Sequence, residues 1–327
     1  MSKTVTIYGR QFAVSGGEGD DYYRHLPDGD DVTDSVMAAI RPHVQADAVC
    51  LDVGANIGLY SLGLSALAPG GRVYAFEPSP ATFGHLQANL ERNRATNVVA
   101  SNLAVSDGTG TVTFHDFSFF SAGSFSSDDA SLLSSESYGS ESFQAATTTV
   151  DQFVADQGLD RVDLVKIDVE GAELSVLEGA QKTLAQYQPT TVLEFNTFGF
   201  TIHQSVLPQV ALARITQLFP YVFVLDRVDG ALCRVESSSE IYDFLYDNGI
   251  HGPTDNMLCS FDDLPVTRRY TRIPVTDPAE QIAELAAEIG AIHDTLSWRL
   301  TAPLREARAR LDPLMARTRA RRSGLGG

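Results

Sequence analysis

"VCLDVGANIGLYSLGL" (residues 49–64) runs from a short β-rich apolar stretch, through an aspartate and a glycine-rich turn, into a second apolar stretch. The spacing predicts a strand, a tight turn and a helix. Gly54 lets the chain turn sharply, and Gly58 lets the following helix and a ligand come close to the strand. In open parallel sheets ligands bind beyond the carboxyl ends of the strands, which puts Asp52, Gly54, Asn56 and Gly58 at a binding site. The turn lacks the G-x-G-x-x-G of dinucleotide sites. A carboxylate at the strand end also opposes a pyrophosphate, whose negative charge seeks bare helix amides. A ligand with an amino group and a sulfonium suits Asp52 better.

The same alternation continues outward from this stretch. Strands are predicted at "VCLDV", "RVYAFE" (72–77), "VVASNLAV" (98–105), "VDLVKIDV" (162–169), "TVLEF" (191–195) and "YVFVLD" (221–226). Helices are predicted over 57–67, 80–93, 150–157, 173–186 and 207–219, which together read as a doubly wound α/β sandwich on a largely parallel sheet. Glu77 closes the second strand 25 positions beyond Asp52, where a carboxylate can accept hydrogen bonds from a ribose diol. Residues 1–48 form an N-terminal cap segment, with a β-like start, an acidic loop and a helix at 34–44 that could cover the cleft. Residues 49–265 form the main domain, interrupted at 117–149 by an insertion rich in Ser, Gly and Ala, either a surface excursion or a mobile wall over the substrate. Residues 266–327 hold a linker, a helix and a basic tail. In the helix, at 278–298, Ile282, Leu285, Ile289, Ile292 and Leu296 form one apolar stripe.

Bulk properties narrow the function classes. At 327 residues and 43% hydrophobic composition the chain can bury a substantial core. It holds no apolar run long enough to span a membrane, and "MSKTVTIYGR" lacks the layout of a secretory signal, so a cytoplasmic protein is expected. Cys50, Cys233 and Cys259 are far apart in apolar stretches, which reads as buried thiols rather than disulfides or a zinc cluster. The net charge of -18 argues against nucleic acid as a partner. From Arg299 onward, however, eight arginines face only Glu306 and Asp312, a net charge of +6. That tail either offsets the acidic body or sits at the membrane's inner face against anionic lipid or an acidic protein partner.

Four phrases, "VCLDVGANIGLYSL", "VYAFEPSPATFGHLQANL", "NLAVSDGTG" and "VDLVKIDVEGAELSVLEGA", in this order and spacing, closely resemble the FkbM-type S-adenosylmethionine-dependent methyltransferases. The resemblance covers roughly residues 47–196 and extends more weakly to about 261, with K-I-D-V-E-G-A-E its most specific part. It implies a class I methyltransferase (Rossmann-like) fold, a seven-stranded sheet with an antiparallel last hairpin, and S-adenosyl-L-methionine as cofactor. It also implies methylation of hydroxyls on small molecules or sugars. By that resemblance Asp52, Gly54 and Asn56 line the methionine part, Glu77 the ribose, and Pro78, Asn102 and Leu103 the adenine. "SWRLTAPLREARARL" (297–311) resembles the ends of bacterial enzymes that build surface polysaccharides.

Methyl transfer to an alcohol needs the acceptor oxygen in line with the methyl group and a base for its proton. Asp168, at the end of the fourth strand beside the switch point, is the reaction-side candidate, with holding the methionyl group or Lys166 as its other role. Glu170, Glu194 at the end of the next strand, and His203 or His251 in segments that could fold over the cleft are the other candidate bases. Glu170 reads as part of a turn and Glu173 as a helix-start acid. Two carboxylates at adjacent strand ends could hold a divalent cation, but the spacing fixes no further ligand, so no metal is assigned. The expectation is an O-methyltransferase acting on a sugar of a bacterial glycan or its precursor. A secondary-metabolite hydroxyl, a non-catalytic cofactor-binding subunit and a nicotinamide enzyme are the alternatives, in that order.

Overall fold

The computed structural model describes residues 2–17, 21–116, 125–126, 141–226, 230–251, 254–266 and 268–271, all within the first of two units, Met1–Arg272. The expected amphipathic helix at 278–298 and the arginine-rich tail lie outside the described residues.

A hairpin of β1 (Lys3–Ile7) and β2 (Arg10–Val14) opens the chain, followed by α1 (Asp21–His25) and α2 (Ser35–Ile40). The α/β alternation then starts: β3 (Val49–Val53), α3 (Leu59–Leu67), β4 (Arg72–Phe76), α4 (Pro80–Arg92) and β5 (Val98–Ser101). Four strands make a separate small sheet, β6 (Ala104–Val105), β7 (Gly110–Asp116), β8 (Phe125–Ser126) and β9 (Glu141–Thr148). Next come α5 (Val150–Asp156), β10 (Leu164–Ile167), α6 (Glu173–Glu178), α7 (Gln181–Tyr187), β11 (Thr190–Asn196), α8 (Thr197–His203) and α9 (Pro208–Leu218). The described chain closes with β12 (Tyr221–Leu225), β13 (Leu232–Arg234), α10 (Ser238–His251), β14 (Thr254–Ser260) and β15 (Arg268–Arg269).

The main sheet runs β15-β13-β12-β14-β11-β10-β3-β4-β5. From β5 to β11 every pairing is parallel, and β14 is antiparallel to both of its neighbours. Counted along the chain, the strands from β5 to β12 stand in the order 3-2-1-4-5-7-6, the class I methyltransferase arrangement. Seven strands are expected; β13 and β15 extend these seven to a nine-stranded sheet among the described residues. The winding reverses between β3 and β10, so their carboxyl ends open the crevice where such sheets bind ligands.

Alternation along the strands sorts the side chains onto two faces. Leu51, Val53, Val165, Ile167, Leu193 and Phe195 pack with Val150, Leu177 and Ile215 of the helices on one face. Cys50, Leu164 and Val192 pack with Val36, Ile40 and Leu64 of α2 and α3 on the other. By the same parity Asp52, Lys166 and Glu194 belong to that second face. The helix expected to cover the cleft therefore lies on the sheet, where Val36 and Ile40 are buried. All three cysteines are buried, and none forms a disulfide. No helix among the described residues is long and apolar enough to cross a membrane.

Several boundaries differ from the sequence reading, each for a local reason. The strand expected over 98–105 breaks at Asn102, whose amide donates to the carbonyls of Glu77 (2.8 Å) and Pro78 (2.9 Å) and turns the chain, so that β6 pairs with β9 in the small sheet. The single helix expected over 173–186 is two, because Gly179 lies flush on the small sheet's entrance. A Cβ there would fall 2.1 Å from the Ser106 carbonyl oxygen. The insertion expected over 117–149 ends earlier, since Glu141–Thr148 pairs with β7 along seven registered positions. Its Ser, Thr and Ala content hid an ordinary period-two strand. The helix expected over 34–44 is α-helical only to Ile40 and continues as a 3-10 turn, because Pro42 has no N–H to extend the ladder.

Two glycines separate the demands of the fold from those of propensity. Gly84 lies exposed inside α4 with nothing within 4 Å of a built Cβ, whereas a Cβ on Gly71 would fall 2.0 Å from the Ala48 carbonyl oxygen. Gly84→Ala is expected to stabilise the protein by about 0.5–1 kcal/mol and Gly71→Ala to destabilise it by about 1–3 kcal/mol. Thermal denaturation should move the melting temperature in opposite directions for the two variants.

Candidate active site

The register of the central strands builds the site in two rows. Asp52 on β3 pairs side by side with Lys166 on β10, and one step toward the carboxyl ends Asp168 comes level with Glu194 on β11. Lys166 is buried, and its Nζ donates to the Gly54 carbonyl oxygen at 2.9 Å. The same ammonium stands 3.5 Å from Asp52 Oδ1 and 3.3 Å from Asp168 Oδ2, and 4.8 Å over the Tyr60 ring. Burial pulls it toward neutrality, but the charges of Asp168 and Asp52 outweigh that and hold its pKa above the ordinary lysine value. Asp52 is fully buried, with Oδ2 accepting from Ser61 at 2.5 Å; its Oδ1 accepts no hydrogen bond among the described residues. The charge expected to meet a cationic ligand is thus already met in part by Lys166. Asp168 is the outward-facing partner, with 39% of its side chain exposed.

The glycine turn is locked to both strand ends. Gly54 (φ 78°) and Ala55 donate their N–H groups to the Phe76 carbonyl, and a Cβ on Gly54 would fall 1.8 Å from the Asp168 carbonyl oxygen. No other residue fits that crossing. Asn56 also holds positive φ, and Gly58 (φ 95°) starts α3 where a side chain would strike Leu86. Glu77 clips the turn to the end of β4: its Oε2 accepts from Asn56 N at 3.0 Å and its Oε1 from Ser79 N at 2.9 Å. Burial raises its pKa to about 7, against the pull of those two N–H groups. Pro78 is half-buried beside it, Asn102 is exposed, and Leu103 packs partly against the main core. The residues expected to bind cofactor therefore stand at the carboxyl ends of β3, β4 and β5, with Asp168 at that of β10.

Beyond Lys166 the site is acidic. Asp168, Glu170 and Glu194 each place a carboxylate oxygen within 4.8 Å of the others. Glu170, one of the candidate bases, stands inside the K-I-D-V-E-G phrase and turns the chain after β10. Its backbone is left-handed (φ 54°), and the following Gly171 packs directly on Gly199 at the start of α8. The fully buried Glu173 fastens that turn, its Oε1 accepting from the N–H groups of Val169 (3.2 Å) and Gly171 (3.1 Å). Burial, then the charges of Glu194 and Asp168, push Glu170 up to about 9. Burial and the charge of Asp168 raise Glu194 to about 7, with the Asn196 amide, 3.3 Å away, working the other way. Such a trio can share protons or take a divalent cation, and Glu170 is the third carboxylate beside the pair on the strand ends. His203 ends α8 and His251 ends α10, but the side chains of both lie outside the described residues.

Residues 52–249 match the methyltransferase FkbM domain. The chain belongs to the FkbM methyltransferase family. It is 29% identical to the 31-O-demethyl-FK506 methyltransferase FkbM of Streptomyces tacrolimicus, over 51% of this chain and 71% of that one. It is 30% identical to the hexuronic acid methyltransferase AglP of Haloferax volcanii, over 56% of this chain and 70% of that one. A third relative, the AMB antimetabolite synthetase AmbE of Pseudomonas aeruginosa, is 35% identical over 41% of this chain, which spans only 8% of AmbE. Among solved structures, the FkbM methyltransferase from Methylobacillus flagellatus KT aligns over 65% of this chain and 44% of its own, with 17% identity and a TM-score of 0.39.

Glu173 provides a test of the site's electrostatics. Burial, partly offset by the N–H groups it accepts, raises its pKa from 4.5 to about 8. Between those values the folded protein keeps a proton that the unfolded chain releases, so this group's contribution falls as pH rises, by up to about 1.4 kcal/mol per pH unit. Glu173→Gln keeps the acceptor and removes the titration. Denaturant unfolding at pH 6 and pH 9 should show a flatter pH dependence for the variant and greater stability than wild type at pH 9.

Proposed function

We propose that the protein is an S-adenosylmethionine-dependent O-methyltransferase whose acceptor is a hydroxyl, in first place one on a sugar of a glycan or its precursor. The observation that carries this reading is the carboxylate pair Asp168 and Glu194, set on adjacent strand ends directly beyond the glycine turn of an FkbM-family chain. The residues present fit the cofactor. Gly54 and Asp168 approach too closely for any side chain to intervene, so backbone forms that wall. The three side chains Asp52, Lys166 and Asp168 sum to one negative charge, which suits a cation. Each Glu77 oxygen accepts one backbone N–H and keeps a second lone pair for a ribose hydroxyl. In this reading Gly54, Asn56, Gly58 and Asp168 hold the methionyl part, Glu77 the ribose, and Pro78, Asn102 and Leu103 the adenine.

When bound, S-adenosylmethionine supplies an electrophilic methyl group. Asp168 has an oxygen committed to Lys166, so we assign the proton of the acceptor hydroxyl to Glu194. Its raised pKa, about 7, matches a base working near neutral pH. Asp168 then orients and stabilises positive charge beside it. The acceptor class follows the relatives: AglP is named for hexuronic acid and NoeI of Sinorhizobium fredii as a 2-O-methyltransferase. A macrolide-like or other secondary-metabolite hydroxyl is the second reading, favoured by the name of the Streptomyces relative.

Methyl-labelled S-adenosylmethionine and a panel of uronic acids, deoxysugars and macrolides should reveal the acceptor. With it, Glu194→Gln should lower turnover by about 10²–10⁴-fold while binding of S-adenosylhomocysteine persists. Because the base must be ionised, the acid limb of kcat/KM for the wild type should sit near pH 7, well above the 4.5 of an ordinary glutamate. Full turnover by the variant would remove Glu194 from the reaction.

A further inference from the structure

Lys166 is a costly residue to place where it is. An ammonium in the interior of a sheet loses several kcal/mol of hydration and is tolerated only with close partners. Here it has three: the Gly54 carbonyl, Asp52 and Asp168. Asp52 could not stand alone either, being fully buried with one hydrogen-bonded oxygen and one without. Two aspartates around one lysine leave a single negative charge. Glu77, Glu170 and Glu194 are further carboxyls that interact with Lys166, and each is the same residue in wild type and in the variants below.

We propose that Lys166 is a positioning residue that tempers the two aspartates to one net negative charge, so that the pocket prefers the singly positive S-adenosylmethionine to its neutral product S-adenosylhomocysteine by the pull of one charge rather than two. The inference rests on the cofactor reading above. The two ligands share adenosine and the amino-acid end and differ by a methyl group and one positive charge. A change that merely loosens the fold weakens both alike, whereas a change in pocket charge alters their ratio. With the lysine in place, methyl transfer itself removes the charge the pocket favours, which assists product release.

The test is calorimetric titration of the full chain at pH 6 with each ligand, reading the ratio of the Kd for S-adenosylhomocysteine to that for S-adenosylmethionine. Asp52→Asn keeps an acceptor for Ser61 and takes the pocket to zero net charge, so the ratio should fall by about tenfold or more. Lys166→Met should raise it by a similar factor. If that variant does not fold, the double substitution Asp52→Asn with Lys166→Met restores one negative charge and should return the ratio to the wild-type value. An Asp52→Asn ratio equal to or above that of wild type overturns the proposal while leaving the cofactor reading intact. Wild-type protein that binds neither ligand overturns both.

Discussion

A buried ammonium can be kept only where the chain delivers enough negative charge to it, and that requirement organises the carboxyl edge of this sheet. Lys166 reaches the end of β3 through Asp52, the glycine turn through the Gly54 carbonyl, and the end of its own strand through Asp168. Removing one partner of such a buried set costs on the order of 3–5 kcal/mol, so the turn "DVGANIG" and the phrase "KIDVEG" act as one unit across the switch point. The close crossing of Gly54 and Asp168 lies at the same place, where the β3–β10 ladder ends with Asp168 N–H donating to the Val53 carbonyl at 3.0 Å.

The role of Asp52 changes once this is seen. From the sequence, its charge excludes a pyrophosphate and suits a cationic ligand. In the structure its first cation is Lys166, and the carboxylate that faces outward is Asp168. The same electrostatics act with the partners shifted by one position: Asp52 anchors the lysine, the lysine anchors Asp168, and the surplus charge lies at the open end. Tyr60 joins this set to the N-terminal segment, since its ring lies under Lys166 and its hydroxyl donates to Asp34, the cap of α2.

The fold was largely legible in the sequence, because the hydrophobic alternation of β3, β4, β10, β11 and β12 is strong and each is followed by a turn signal. What escaped was set by contacts distant in sequence. The break at Asn102 depends on the carbonyls of Glu77 and Pro78, the break at Gly179 on the Ser106 carbonyl, and β9 on its pairing with β7. The site was legible to the same degree. Glycines and acids at strand ends announce themselves by position, and Asp52, Glu77, Asp168 and Glu194 all stand at the expected edge. Two members were underread. In the sequence Lys166 stands only as a partner for Asp168, and Glu170 only as one of several bases, since only the register places the first against Asp52 and only the left-handed backbone at 170 turns the chain for the second.

The central proposal is that the carboxyl ends of the strands, from Asn102 through Glu77 and the glycine turn to Asp168 and Glu194, hold the cofactor with its reactive end toward the acidic trio. A crystal structure with S-adenosylhomocysteine tests it most directly. The account predicts the ribose hydroxyls on Glu77, the adenine beside Pro78 and Leu103, and the sulfur facing open space bordered by Asp168 and Glu194. A ribose bound away from Glu77, or a sulfur turned from those carboxylates, would contradict it.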